Sequence, residues 1–463
     1  MACTGLTSTL RERQPLSADM PHVDARGLEL SRGSESSRNA FEHALARLLS
    51  GEDDARSMMD HALRHDPDFP MGHALRAGAM VLRGDSTRAR AVAASLQALE
   101  RSGAAINDRE RRHAAAALAW LEGDAATSLA RYGGLVADYP RDILALQVAN
   151  ALDFRLGMQR MLRDRPAHVL PYWDEGVPGF GYVLGLYAFG LEETGEYAAA
   201  EVMARRSLEL APDNASAIHA IAHVMEMQGR AREGVAWLRQ THALWANNAG
   251  FSRHLAWHLA LFHIDIDETQ RALEIYDAML LPQRDTPVPA LVDASALLWR
   301  LELRGLALRP RWRRLVRHWR QKRLAGVRAF NLVHAVMAFA AHGAFSRAQR
   351  AAALLRNDAS TRRNDTPENT ALALSLCAAF VAFARREYGN AVDRLNQVRE
   401  HADRCGGSLA QCDLIHLTLL EAALRSQRDR LARALARERA AQKPASRLNQ
   451  WLFARAAALF STR

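Results

Sequence analysis

From Ala40 onward, apolar residues recur at the three-to-four-residue spacing of amphipathic helices, and no stretch alternates β-branched with polar residues as a strand would. Turn signals at Gly51, Gly84-Asp85, Gly123-Asp124, Gly157, Gly195, Gly229, Gly305, Gly343 and Tyr388-Gly389-Asn390 interrupt the pattern at helix-pair intervals. Pro67, Pro140, Pro171, Pro212 and Pro282 are placed to close helices. Gly195 and Gly229 lie 34 residues apart, as do Asn214 and Asn248, which is the period of a tetratricopeptide helix pair. The segment 182–214 fits one such unit: Leu184, Tyr187, Ala188 and Leu191 form the inner stripe of its first helix. Gly195 makes the turn, Tyr197 and Ala200 open the second helix, Ala204 and Leu208 continue its buried face, and Pro212 ends it. The pattern predicts an all-α, tetratricopeptide-like helical-hairpin solenoid, a right-handed superhelix.

Residues 1–38 carry Ser, Arg and acidic residues without periodicity and are expected to form a flexible arm. An N-terminal helical array is then expected over 39–170, central repeats over 171–280 and a C-terminal array over 281–463. Two Pro- and Gly-containing stretches, PYWDEGVPGFG at 171–181 and LPQRDTPVPA at 281–290, mark the joints. At 463 residues the chain would ordinarily split into several domains, but a solenoid packs each unit only on its neighbours and needs no single growing core. The 49% hydrophobic and 7% aromatic content is dominated by Ala and Leu, a helical composition.

The 34-residue step places His219, His223 and Glu226 on the first helix of the next unit, at i, i+4 and i+7 on one face. That face is the concave side of such an array. The following unit, HLAWHLALFH, repeats the motif with His254 and His258, and His263 lies further along. Its register is one residue off that of the first pair, so the spacing alone leaves open whether the pairs converge. Two imidazole pairs and a carboxylate suit Zn, Fe or Mn, with His219, His223, His254 and His258 as ligands and Glu226 as ligand or general base. The same residues equally suit the lining of a groove that hydrogen-bonds a small molecule or a peptide segment. His113 and His334 occupy first helices of other units and, with His73, are further lining residues for a shared cavity. Asp153 and Asp293 sit in apolar helical runs, where an unpaired carboxylate is costly and pairing with an Arg is an alternative explanation.

The string HAIAHVMEMQGRAREG, Trp245, HLAWHLALFH and ALEIYD together resemble the tetratricopeptide repeat protein 38 family. Upstream, FPMGHALRAGAMVLRGD and VLPYWDEGVPGFGYVLGLYAFGLEETGEY continue the resemblance. Downstream, NLVHAVMAFAAHG and CGGSLAQCDLIHLTLLEAAL extend it over most of the chain from about residue 39. The resemblance implies a cytosolic superhelix of helix pairs and brings no residue-by-residue catalytic assignment. The Arg-rich tail departs from the family's more mixed charge pattern.

Net charge is +10, and all basic residues except Lys322 and Lys443 are Arg. In the basic run 304–328, Trp312, Leu315, Val316 and Trp319 form an apolar stripe at i, i+3, i+4 and i+7, so the charges read as a solvated face and nucleic acid is disfavoured. Cys3, Cys377, Cys405 and Cys412 lack zinc-site spacing and are too few to staple the chain. With no apolar leader and no uncharged span of membrane length, a cytoplasmic protein is expected. No phosphate-binding glycine loop, nucleophile elbow or dinucleotide fingerprint occurs. Two functions remain: a superhelix that binds a small molecule or peptide segment on a His-rich concave surface, or a metal-dependent enzyme built on the central His/Glu cluster.

Overall fold

A computed structural model describes residues 22–458, apart from 53, 84–88, 102–105, 282–285 and 359–366. The turn expected at Gly84-Asp85 and the helix end at Pro282 lie outside the described residues. The N-terminal array comprises α1 (Glu35–Leu49), α2 (Ala55–His65), α3 (Pro70–Arg83), α4 (Ala89–Arg101), α5 (Asp108–Leu121), α6 (Ala125–Asp138), α7 (Ile143–Arg155) and α8 (Gln159–Val169). The central units are α9 (Phe180–Glu193) with α10 (Tyr197–Leu210), α11 (Ala215–Met227) with α12 (Ala231–Gln240) and the short α13 (His242–Trp245), and α14 (Ser252–Asp265) with α15 (Thr269–Ile275). A π-turn, Tyr276–Leu280, ends the last of these. Then follow α16 (Val288–Leu303), α17 (Arg309–Gln321), α18 (Ala329–Ala341), α19 (Phe345–Asn357), α20 (Pro367–Ala384) and α21 (Tyr388–Val398). The chain closes with α22 (Leu409–Arg425), α23 (Asp429–Gln442) and α24 (Arg447–Ala458). Among the described residues the one β feature is an isolated bridge between Val23 and Glu29.

Local signals set these boundaries. Asn214 caps α11 by accepting from the backbone N–H groups of Ser216 and Ala217, and Asn107–Glu110 and Ser408–Gln411 form reciprocal capping boxes on α5 and α22. The turns at Gly195 and Gly229 require the left-handed conformation, with φ of 85° and 73°. Ala200 and Ala204 are fully buried, as the helix-pair pattern predicts. Leu208 is only half-buried, however. Its place inside is taken by Ser207, whose hydroxyl donates to Gly181 O (2.7 Å) and accepts from Asn214 Nδ2 (2.9 Å). The chain is thus tied to the next unit by a buried polar contact where an apolar one was expected.

Two large apolar cores run along the array, one from Leu30 to Leu186 and one from Ala188 to Ala456, with a small third one of Leu191, Ala200 and Val224, and α9 contributes to all three. Trp173, in the joint 171–181, is buried and donates Nε1–H to Pro140 O (2.9 Å). The stripe Trp312, Leu315, Val316 and Trp319 of α17 is buried, as expected. Among the described residues one helix, α20, has the length and apolar composition of a membrane span. It places Leu372, Ala373, Leu376, Phe380 and Phe383 inside the second core.

The superhelix curls tightly enough for remote segments to touch. Asn248 Nδ2 donates to Ser50 O (2.7 Å), and Arg328 donates to Arg155 O (2.6 Å). The first turn of α22 reaches back to the end of α9, where Leu409 N–H meets the Glu193 carboxyl (3.3 Å).

The arm expected over 1–38 corresponds to structure from residue 22 onward. Asp24 and Arg26 are buried; Arg26 forks onto Glu42 (2.7 and 2.8 Å), and Asp24 accepts from Arg109 (3.0 Å) on α5. Ion pairing, which leaves no trace in hydrophobic periodicity, anchors this segment. Residues 1–21 lie outside the described residues. Asp24→Ala would strand the buried Arg109 with only the more distant Asp142 (3.8 Å). We expect it to cost about 3–5 kcal/mol, read as a lower midpoint in urea denaturation.

Candidate metal centre

The inward faces of α11 and α14 bring four imidazoles together. His219 and His223 come from α11, and His254 and His258 from α14. Ring centroids are 4.2 Å apart for His219–His223, 4.9 Å for His219–His254, 4.6 Å for His223–His258 and 4.8 Å for His254–His258. One nitrogen from each ring lies within 4.8 Å of those of the other three. A tetrahedral zinc ion at about 2.0–2.1 Å from each nitrogen needs donors about 3.4 Å apart, which small ring rotations supply. His223 and His258 are fully buried and His219 nearly so; the His254 side chain keeps 22% of its surface exposed and marks the approach from solvent. The Phe189 ring stacks on His219 (5.6 Å) and Phe251 tilts against it (5.5 Å).

Three of the four rings lean on a carboxyl group through Nδ1. His223 contacts Glu192 (3.0 Å), His258 contacts Glu226 (2.8 Å) and His254 contacts Asp293 (2.9 Å). With the proton on Nδ1, each Nε2 lone pair is free for a cation. The Nε2 atoms of His219, His223 and His258 are buried and have no hydrogen-bond partner. An orphaned buried polar atom costs about 1–3 kcal/mol, so leaving three in one place requires a reason.

The electrostatics hold three of the four rings below the ordinary histidine value. Burial, reinforced by the neighbouring imidazoles, holds His219 and His258 well below the ordinary histidine value, and burial lowers His223 to about 4. Burial also acts against the charge on His254, but Asp293 more than offsets it, so this ring's pKa is raised. Burial raises Glu192 to about 8 and Glu193 well above the usual carboxyl range, and it raises Glu226 as well.

The C-terminal helices complete the enclosure. Besides the Leu409 contact to Glu193, Gln411 Nε2 donates to Asp293 (3.4 Å), and Arg300 donates to Ala410 O (2.9 Å). The Arg300 guanidinium also lies 5.3 Å over the Trp257 ring, which meets His254 and His258 as well. Beyond Glu226 is a cavity of about 50 Å³, lined in part by Arg300, Asp413, Arg439 and Lys443. Burial alone would raise the Asp413 carboxyl, but Arg439, forked onto it at 2.7 and 3.2 Å, and Lys443 hold it low.

The structure sorts the residues singled out in the sequence. His219, His223, His254 and His258 converge despite the one-residue offset between their repeats, but they are enclosed, so they do not line an open groove. Glu226 stands outside the four-nitrogen group, against the far nitrogen of His258, and is placed to orient that ring. His113 belongs to the first array, where its Nε2 pairs with Asp142 (2.9 Å). His334 uses Nδ1 on Phe330 O (2.9 Å), and His73 uses Nε2 on Pro67 O (2.8 Å). Among the described residues, no group of metal-type donors includes any of these three. Asp153 is paired with Arg165 (2.7 and 3.0 Å), and Asp293 serves His254. Glu192 and Glu193 were missed. Their signal was available: Glu192 precedes Glu226 by 34 residues, so the same position supplies a carboxylate to the next unit's histidine in both repeats.

No protein-family profile matches the chain. Among solved structures, the human IFIT1 dimer with PPP-AAAA is similar over 92% of this chain and 95% of its own, at 14% identity and a TM-score of 0.42. The human IFIT1 dimer with m7Gppp-AAAA covers 93% and 96%, at 15% identity and a TM-score of 0.41. The P58(IPK) TPR domain covers 92% and 99%, at 12% identity and a TM-score of 0.22. Such distant likeness carries nothing about ligands. The helices themselves establish an all-α, tetratricopeptide-like helical-repeat protein.

Proposed function

We propose that this protein binds a first-row divalent transition metal through His219, His223, His254 and His258, inside the closed side of its helical superhelix. The observation that carries the reading is the set of three buried, unpartnered Nε2 atoms, two of them on rings whose opposite nitrogen rests on a carboxyl group. Metal-bound histidines are held in this way, because the outer carboxyl fixes the ring and strengthens the donor nitrogen. Four imidazoles suit zinc, iron, copper or nickel better than manganese, which prefers oxygen ligands. In a tetrahedral zinc complex the four nitrogens fill the coordination sphere. An octahedral ion would keep two positions, reached past His254, for a small ligand or substrate.

Cobalt(II) titration of the metal-free full chain tests the geometry. An intense visible absorption saturating with one strongly bound equivalent supports a tetrahedral four-nitrogen site. Weak absorption at saturation supports the six-coordinate alternative, and no spectral change at any ratio refutes the site. This reading departs from a peptide-binding groove because an extended peptide cannot reach rings that the neighbouring helices and the start of α22 enclose.

A further inference from the structure

The last turn of α9 ends in Glu192 and Glu193, both buried to within a few per cent of their surface, on an otherwise apolar helix. Among the described residues, neither makes an ion pair with any Arg or Lys. Glu193 has the Leu409 N–H (3.3 Å), and both carboxyls share one ring nitrogen, His223 Nδ1, at 3.0 Å from Glu192 and 3.6 Å from Glu193. Glu192 Oε1 is buried and without any hydrogen-bond partner. Beyond the hydrogen bond the two carboxyls make with each other, they are served by one ring N–H and one long backbone contact, and a buried carboxylate persists when it is paired or coordinates a metal. One donor atom from each of Glu192, Glu193 and His223 lies within 4.8 Å of the other two.

We propose that Glu192, Glu193 and His223 Nδ1 form a second divalent-metal site, so that the His223 imidazole bridges two ions. The inference rests on the four-histidine reading, since the opposite nitrogen of the same ring belongs to that centre. Filling the second site displaces the His223 Nδ1 proton and the protons that the buried carboxyls hold near neutral pH, all of which leave to solvent, and the resulting carboxylates neutralise the added charge. The donor set, two oxygens and one nitrogen, differs from the four nitrogens of the first site. It is suited to zinc, iron or manganese and leaves coordination positions for water or an oxygen-containing ligand.

Equilibrium dialysis of the full chain against Zn²⁺, followed by elemental analysis, separates the outcomes. The proposal predicts two equivalents, with the second lost in Glu192→Gln/Glu193→Gln while the first is retained but weakened about 10–100-fold, because Glu192 is also the outer carboxyl of His223. Glu192→Gln alone should weaken the second equivalent by at least about tenfold. One equivalent in the wild-type chain overturns the second site and leaves the first standing, and zero equivalents overturns both. Because the wild-type stoichiometry decides by itself, a variant that fails to fold does not obscure the result. Calorimetric titration in buffers of different ionisation enthalpy provides an independent check: filling the second site must release a proton, and no buffer dependence of that step would contradict the bridge.

Discussion

His223→Ala is expected to abolish stoichiometric metal binding while leaving the helical circular-dichroism signal in place. Alanine is the better helix former, so α11 has no local reason to unwind. The change removes one of four nitrogens and also deprives Glu192 and Glu193 of their shared partner. The loss should exceed the roughly 10–100-fold that follows from removing an outer hydrogen-bonding carboxylate. Glu226→Gln sets that smaller scale. It keeps the shape of the His258 contact (2.8 Å) but withdraws its negative charge, and should weaken zinc by about 10–100-fold without emptying the centre. Competition titration against a chromophoric chelator measures both. Equal effects would remove the distinction between ligand and outer carboxyl on which the assignment depends.

The second large effect is on stability and its dependence on pH. In the metal-free protein, His223 has its pKa lowered from 6.5 to about 4, and His219 and His258 are lowered too. Such a group binds fewer protons folded than unfolded, so its contribution is complete above 6.5 and is lost as pH falls toward 4. Glu192 runs the other way: raised from 4.5 to about 8, it contributes stability below 4.5 that is lost as pH rises through about 8. Glu193, Glu226 and His254, also raised, act in the same direction. The two sets oppose each other between 4.5 and 6.5; above 6.5 only the raised groups still titrate. The melting temperature of chelator-treated protein should therefore fall from pH 6.5 to about 8. Zinc affinity should rise over that same interval because binding displaces protons. A thousandfold excess of zinc over its dissociation constant adds about 4 kcal/mol, so the zinc-loaded protein should melt several degrees higher, with the gap widening toward pH 8. Scanning calorimetry with and without chelator measures this, and melting curves that coincide at every pH would contradict it.

Much of the fold was legible because repeat architecture writes itself into local spacing: the 34-residue step, the glycine turns and the small residues at Ala200 and Ala204 all state contacts between neighbouring helices. The histidine pairs were legible for the same reason. Their convergence was not, because the one-residue offset of His254 and His258 is absorbed by the way α14 packs on α11. The α22 contacts were also out of reach of periodicity, since Leu409 meets Glu193 across 216 residues. Residues 22–34 were misread because ion pairs such as Asp24–Arg109, rather than an apolar stripe, hold them in place.

The central claim is that the four histidines hold a metal, and elemental analysis tests it most directly. The full chain, purified without chelator and then dialysed against zinc and desalted, is predicted to retain at least one equivalent of transition metal per chain. The His223→Ala chain treated identically is predicted to retain none. Wild-type protein that carries no metal and takes up none would contradict the account, as would metal that survives the His223→Ala change undiminished.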